Sequence, residues 1–229
     1  YFFTPLVYQS GTLPEYSFYN AATYSGKTTL TSIKLPEEIW AIGDRSFWRC
    51  SGLTGILTIP NSVSYIGPLA FQDCIGLSGD LNIPNSVTFI SAQAFKNCTG
   101  FSGSLNIGNS GNRIEVFAFE NCTGIKRINC LKNTPPIITT TTFNGISATV
   151  YVPNADAVIA YKAATGWKNF NMEIYNQSLL ISMQIGSNGS VMENNLTLTN
   201  GTALTVNQGE TKTFTFYCNS GYEIATLTY

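Results

Sequence analysis

Leu77-Ser-Gly-Asp-Leu81-Asn-Ile83-Pro84-Asn-Ser-Val87-Thr-Phe-Ile90-Ser-Ala-Gln-Ala94-Phe95-Lys-Asn-Cys98-Thr-Gly100 is the stretch that decides the fold. Leu81 and Ile83 flank Asn82, the alternation of a half-buried strand. Pro84 has no N–H to give a ladder and ends that strand. Val87 and Ile90 face inward along a second short stretch. Ala94, Phe95 and Cys98 stand at i, i+1 and i+4, which predicts one face of a single helical turn. Gly100 closes the unit and returns the chain. One such unit cannot cover its own apolar side, so units stack and bury it against each other.

The stretch recurs at a step of 24 residues. Cys50, Cys74, Cys98 and Cys122 keep that step, as do Phe47, Phe71, Phe95 and Phe119. Ile42, Ile66, Ile90 and Ile114 follow, with Gly52, Gly76, Gly100 and Gly124. Pro36, Pro60 and Pro84 match, and Gly108 takes the place of Pro in the next unit. So many coincident columns establish an internal repeat, the feature that governs the whole architecture. Upstream, Phe18-Tyr-Asn20-Ala21 reads as the end of a further unit, followed by an insertion around 22–29. Downstream, Ile125 to Cys130 opens another coil. Beyond it the period fades into Thr134-Pro-Pro136, Thr149-Val-Tyr-Val-Pro153 and Gly166-Trp167. Together with an amphipathic 155–164 segment, these predict a cap on the last coil.

From about residue 177 short alternating strands separated by turn residues take over, including Leu196–Leu198, Thr202–Val206 and Gly221–Ile224. The division expected is a solenoid with its caps over 1–176 and a small, truncated β-domain over 177–229. The fold class is thus a β-rich, right-handed solenoid of short strands and short helical turns, followed by a small all-β domain.

Composition narrows the function. Charged residues are 11% of the 229, against roughly 25% in an average soluble domain. The net charge of −1 offers no basic face for nucleic acid and no polybasic membrane anchor. No apolar run approaches the roughly 18 residues of a membrane span. The chain opens at Tyr1 without Met, which reads as a fragment lacking its targeting segment.

The pattern Leu-x-x-Leu-x-Ile-Pro-x-x-Val-x-x-Ile-x-x-x-Ala-Phe-x-x-Cys-x-x-Leu, carried by Leu81 to Cys98 and its neighbouring units, resembles the BspA-type leucine-rich repeat. The resemblance covers roughly residues 16–175, departing at Gly108-Asn-Ser-Gly111. The last fifty or so residues are similar, less specifically, to divergent internalin-type B-repeats. The resemblance implies a secreted or surface-attached bacterial protein, several such proteins being adhesins, with no catalytic residues and no cofactor to carry over.

The residues themselves point the same way. There is no His, the commonest general base and metal ligand, so no Ser or Cys has a partner for nucleophilic catalysis. The acidic residues do not stack into the carboxylate pair of a glycosidase: Asp44 aligns with Pro68, Ala92 and Val116. No calcium-loop spacing occurs. The Cys column reads as a stack of buried free thiols, with Cys130 and Cys218 also unpaired. Asn97 and Asn121 lie in glycan-acceptor triplets, as do Asn176, Asn188, Asn195 and Asn200, but the first two serve the turn before each Cys better.

Binding falls to outward positions. Lys34, Thr58, Asn82, Asn106 and Asn129 form one column on the first strand. Tyr65 and Phe89 form an aromatic pair between Ala41 and Arg113, with Trp40 in the column alongside. These residues predict a monomeric binding protein, adhesin-like, for an extracellular protein or glycan. The alternative is a structural spacer holding another module at the cell surface.

Overall fold

The computed structural model describes residues 11–20, 23, 25–109 and 113–175, and the strands Ser178–Ser182, Gly189–Glu193, Leu196–Leu198, Ala203–Asn207 and Phe214–Cys218. The chain divides into two compact units, Tyr1–Tyr175 and Asn176–Tyr229.

The first unit is a β-solenoid with two parallel sheets. One is built of two-residue strands, in the order Thr12–Leu13, Ala41–Ile42, Tyr65–Ile66, Phe89–Ile90, Arg113–Ile114, Ile137–Ile138. The other carries longer strands, Gly79–Ile83, Phe101–Ile107, Arg127–Cys130, Thr149–Val152 and Asn171–Ile174, paired in chain order. The insertion near the start folds as a hairpin of Tyr19–Asn20 and Ser25–Gly26. The strands of the second unit pair antiparallel, Ser178–Ser182 with Ala203–Asn207, and Gly189–Glu193 with both Leu196–Leu198 and Phe214–Cys218. Gly221–Ile224 and the acceptor residues Asn176, Asn188, Asn195 and Asn200 lie outside the described residues.

The side of each coil expected to be a helical turn is built differently. Ala94, Lys96 and Cys98 each donate an N–H three residues back, to Ser91, Gln93 and Phe95. The alternate residues Gln93, Phe95 and Asn97 donate across to Val116, Ala118 and Glu120 of the next coil. Every N–H here is satisfied, half within the coil and half between coils, which an α-helical turn cannot do. The alternation needs left-handed backbone at two places per coil: Arg45 and Arg49, Leu69 and Asp73, Gln93 and Asn97, Phe117 and Asn121, all at φ between 53° and 61°.

This third ladder holds the core columns in register. The rings of Phe18, Phe47, Phe71, Phe95, Phe119 and Phe143 stack nearly parallel at centroid spacings of 5.0–5.4 Å. Beside them the thiols of Cys74, Cys98 and Cys122 donate to the carbonyls of Phe47, Phe71 and Phe95 at 3.0–3.1 Å. All are buried and free, and so is Cys130. The Gly column has its reason in the same close stacking. A Cβ on Gly100 would meet the carbonyl oxygens of Ile75 and Leu77 in the previous coil.

The 24-residue step also runs further than the sequence pattern suggests. Phe143 follows Phe119 by 24 and Trp167 follows Phe143 by 24. Trp167 tilts at 52° to close the ring stack, and its indole N–H donates to the Pro136 carbonyl at 2.8 Å. The one helix among the described residues, Ala155–Ala163, starts at Asn154, whose side chain accepts from Ala157 N–H, and it buries Ala157 and Tyr161 over the end of the stack.

Candidate ligand-binding surfaces

Two sheets mean two faces, and the eight outward residues divide between them. In the short strands from Ala41–Ile42 onward the Ile at the second position turns inward and its predecessor lies on the opposite side, where Ala41 is nevertheless covered and 2% exposed. The outward row is Ala41, Tyr65, Phe89, Arg113 and Ile137, each in register with the next. Tyr65 and Phe89 stack at 5.8 Å and 21°, so each half-buries the other. The Ser91 hydroxyl donates to the Tyr65 hydroxyl at 3.1 Å and fixes the first ring. Trp40 is 53% exposed at the head of the row. Its carbonyl accepts from Ser64 N–H at 2.8 Å, which ties its backbone to the next coil. Arg113 pairs with Glu115 at 2.5 Å, and Ile137 ends the row largely exposed.

The second column behaves differently. Asn82, Asn106 and Asn129 are in register on the long-strand sheet. Their side chains bond to one another: Asn106 Nδ2 to Asn82 Oδ1 and Asn129 Nδ2 to Asn106 Oδ1, both at 2.6 Å. Arg127 Nε donates to Asn129 Oδ1 at 2.8 Å. Asn129 is therefore only 8% exposed, against the expectation of an open surface residue. Lys34 and Thr58 are exposed, but they sit in coils that add no strand to this sheet beyond one Gly55–Leu77 bridge. Asn97 and Asn121 form a similar ladder that starts on Asp73, with bonds of 2.7 and 3.0 Å. Asn106, Asn129, Asn97 and Asn121 thus each donate one N–H to the side chain one coil back, which ties neighbouring coils together.

The register is confirmed by charge. Arg49 lies 3.5 Å from Asp73 and Lys96 lies 2.6 Å from Glu120, both pairs one coil apart. Sequence columns do not reveal a further cluster on the long-strand face. Arg127 stacks over the ring of Tyr151 at 3.6 Å and stands 5.1 Å from that of Tyr175. Arg127 pairs with Thr149, 22 residues on, and with Ser104, 23 residues back, so the 24-residue step conceals the neighbourhood. The alternation in Thr149-Val-Tyr-Val is the signal that could have placed Tyr151 outward.

Among the described residues no three acidic, His or Cys side chains converge on a point that would hold a metal ion. Burial pushes the thiols of Cys74, Cys98 and Cys130 well up, and that of Cys122 to about 12. Thiols held protonated in this way are poor nucleophiles and poor metal ligands at neutral pH. No helix among the described residues is long and apolar enough to cross a membrane.

A family model of the BspA type leucine rich repeat region matches residues 11–150 in six copies. Among solved structures, a leucine rich cell surface protein from Faecalibacterium prausnitzii A2-165 is similar at 18% identity and a TM-score of 0.26, over 64% of this chain and 54% of that one. This chain thus spans about half the length of that protein. No curated protein matches the sequence.

Proposed function

The chain belongs to the BspA-type leucine-rich-repeat family, and from that membership we propose a non-enzymatic binding protein of the cell surface or extracellular space, adhesin-like, that takes a protein ligand. The observation that carries the reading is the Tyr65–Phe89 pair with Trp40 at its head, on one rigid face. Aromatic residues held in fixed rotamers are the commonest anchors of protein interfaces, because little entropy is lost when they are covered. The flanking Arg113–Glu115 pair supplies a polar rim. The two rings stack on each other, so they turn edges rather than faces to solvent. That geometry suits aliphatic and backbone groups of a protein better than the flat face of a sugar ring.

The test is surface plasmon resonance of the full chain against a panel of extracellular-matrix proteins, with Trp40→Ala and Phe89→Ala beside the parent. Binding should weaken at least about tenfold in each variant, with thermal melts confirming that both remain folded. Equal affinity in parent and variants removes this face from the interaction. If no matrix protein is retained at all, the spacer role takes its place.

A further inference from the structure

We propose that the C-terminal cap of the solenoid carries a second site, a pocket for a neutral saccharide, distinct from the aromatic row. The pocket has a volume of about 390 Å³ and lies where the coil of residues 139–148 meets the segment 166–171. That volume is within the usual range for small-molecule sites.

Its chemistry is selective by omission. None of its lining residues carries a charge, so phosphates, carboxylates and cationic ligands find no counter-charge in its walls. Exposed amides of Asn144, Asn169 and Asn171 and the hydroxyl of Ser147 surround it. Amides and hydroxyls both donate and accept, the match that adjacent sugar hydroxyls require. One wall is Phe170, half-buried, standing at 89° to Phe143 and 6.0 Å from Trp167, the ring that closes the core stack. Phe170 keeps part of its ring surface open to the pocket, an apolar patch against which the C–H side of a pyranose can pack.

The backbone around the pocket is fixed. Gly145 and Gly166 hold left-handed turns at φ 78° and 83°, and a Cβ on either would fall within 2.6 Å of Asn121 or Ile138. Asn171 opens the last strand of the long-strand sheet, in register with Thr149, to whose hydroxyl its amide donates at 3.5 Å. A longer oligosaccharide seated in the pocket would leave it across this polar row. The mouth is wide, so a bound sugar keeps one side in water, and binding is expected at millimolar rather than nanomolar concentration.

Saturation-transfer NMR on the full chain tests this with lactose, maltose, N,N′-diacetylchitobiose and mannobiose as probes, and glucuronic acid as the charged control. At least one neutral disaccharide should show transfer. Ser147→Arg, which fills the mouth from an exposed position, should abolish it. Asn169→Ala should weaken it about fivefold, the worth of one hydrogen bond. Both substitutions are on the surface and should leave the thermal melt unchanged. Trp40→Ala should leave the sugar signal intact, so failure of the protein-binding face and failure of this pocket read out separately. Absence of transfer from all four probes, transfer from glucuronic acid alone, or transfer unaffected by both pocket variants overturns the proposal.

Discussion

Alkaline pH should unfold the solenoid through its buried thiols. Cys74, Cys98, Cys122 and Cys130 are almost wholly inaccessible, and desolvation is the leading cause that raises the pKa of each. In the unfolded chain these thiols ionise near their ordinary value, about 9, whereas folded Cys122 holds its proton to about 12. Between those values the unfolded state binds fewer protons than the folded one, so stability falls as pH rises. The contribution is complete below about pH 9 and is lost progressively up to the folded value. At pH 10 one unfolded thiol contributes somewhat over 1 kcal/mol, and four together about 5 kcal/mol. That is comparable to the whole stability of many domains.

Urea unfolding followed by circular dichroism at pH 8 and pH 10 gives the measurement. A Cys98→Ala, Cys122→Ala double variant separates thiol titration from other alkaline effects. It should start less stable at pH 8, because two sulfur-sized voids are left in the column. The carbonyls of Phe71 and Phe95 keep their bonds from Cys74 N–H and Cys98 N–H, so no acceptor is orphaned. Between pH 8 and 10 the variant should then lose about 2–3 kcal/mol less stability than the parent. Lysine and tyrosine titration is common to both proteins and cancels in the comparison. An equal loss in the two would refute the thiol account.

Three further outcomes follow from the packing. Phe95→Ala removes a fully buried ring held 5.3 Å from both Phe71 and Phe119, and should cost roughly 3–5 kcal/mol in urea unfolding; a loss under about 1 kcal/mol would show that the column is not the core. Gly100→Ala places a Cβ against the Ile75 and Leu77 carbonyls and should cost at least about 2 kcal/mol, whereas Gly55→Ala, where a Cβ meets nothing, suffers only its left-handed backbone; equal losses would mean that the coils are not in close contact at the Gly column. Glu120 accepts from Lys96 and Asn144, and these bonds hold its carboxyl below the usual range. Its contribution is present above about pH 4.5 and lost as pH falls through the lowered folded value, so Glu120→Gln should cost up to about 1 kcal/mol at pH 7 and progressively less as the pH is lowered below 4.5; a pH-independent difference would contradict the pairing.

The repeat, the Phe and Cys columns and the charge pairs were legible because a fixed 24-residue step turns residue numbers into neighbours. The turn geometry was not. Leu69 and Phe117 adopt left-handed backbone that no side chain of theirs announces; the inter-coil ladder imposes it, since each alternate N–H must point at the next coil. The last coils were hidden for a different reason. Thr142 stands where earlier units carry Ala, and the long-strand sheet steps by 22 or 23 residues while the Phe column keeps 24. The site was half legible: numbering placed Asn82, Asn106 and Asn129 in one column but could not show that they hydrogen-bond one another.

That last difference has a physical consequence for where a solenoid of this kind can bind. When like polar residues repeat along a column, each amide can donate one N–H to the acceptor one coil away, as Asn106 does to Asn82 and Asn129 to Asn106. When like aromatic residues repeat, each ring covers the next, as along the Phe stack. Capacity for an outside partner therefore concentrates where the repeat is broken. The short-strand row changes from Ala41 through the stacked pair Tyr65 and Phe89 to Arg113 and Ile137, so the ring stack stops after two members and each ring stays half exposed. In the cap the aromatic column still keeps its step to Trp167, but the residues around it change, and Phe170, Asn169 and Asn171 line a pocket there. In this protein the regular columns hold the stack together, and it is at the irregular ones that the proposed ligands are placed.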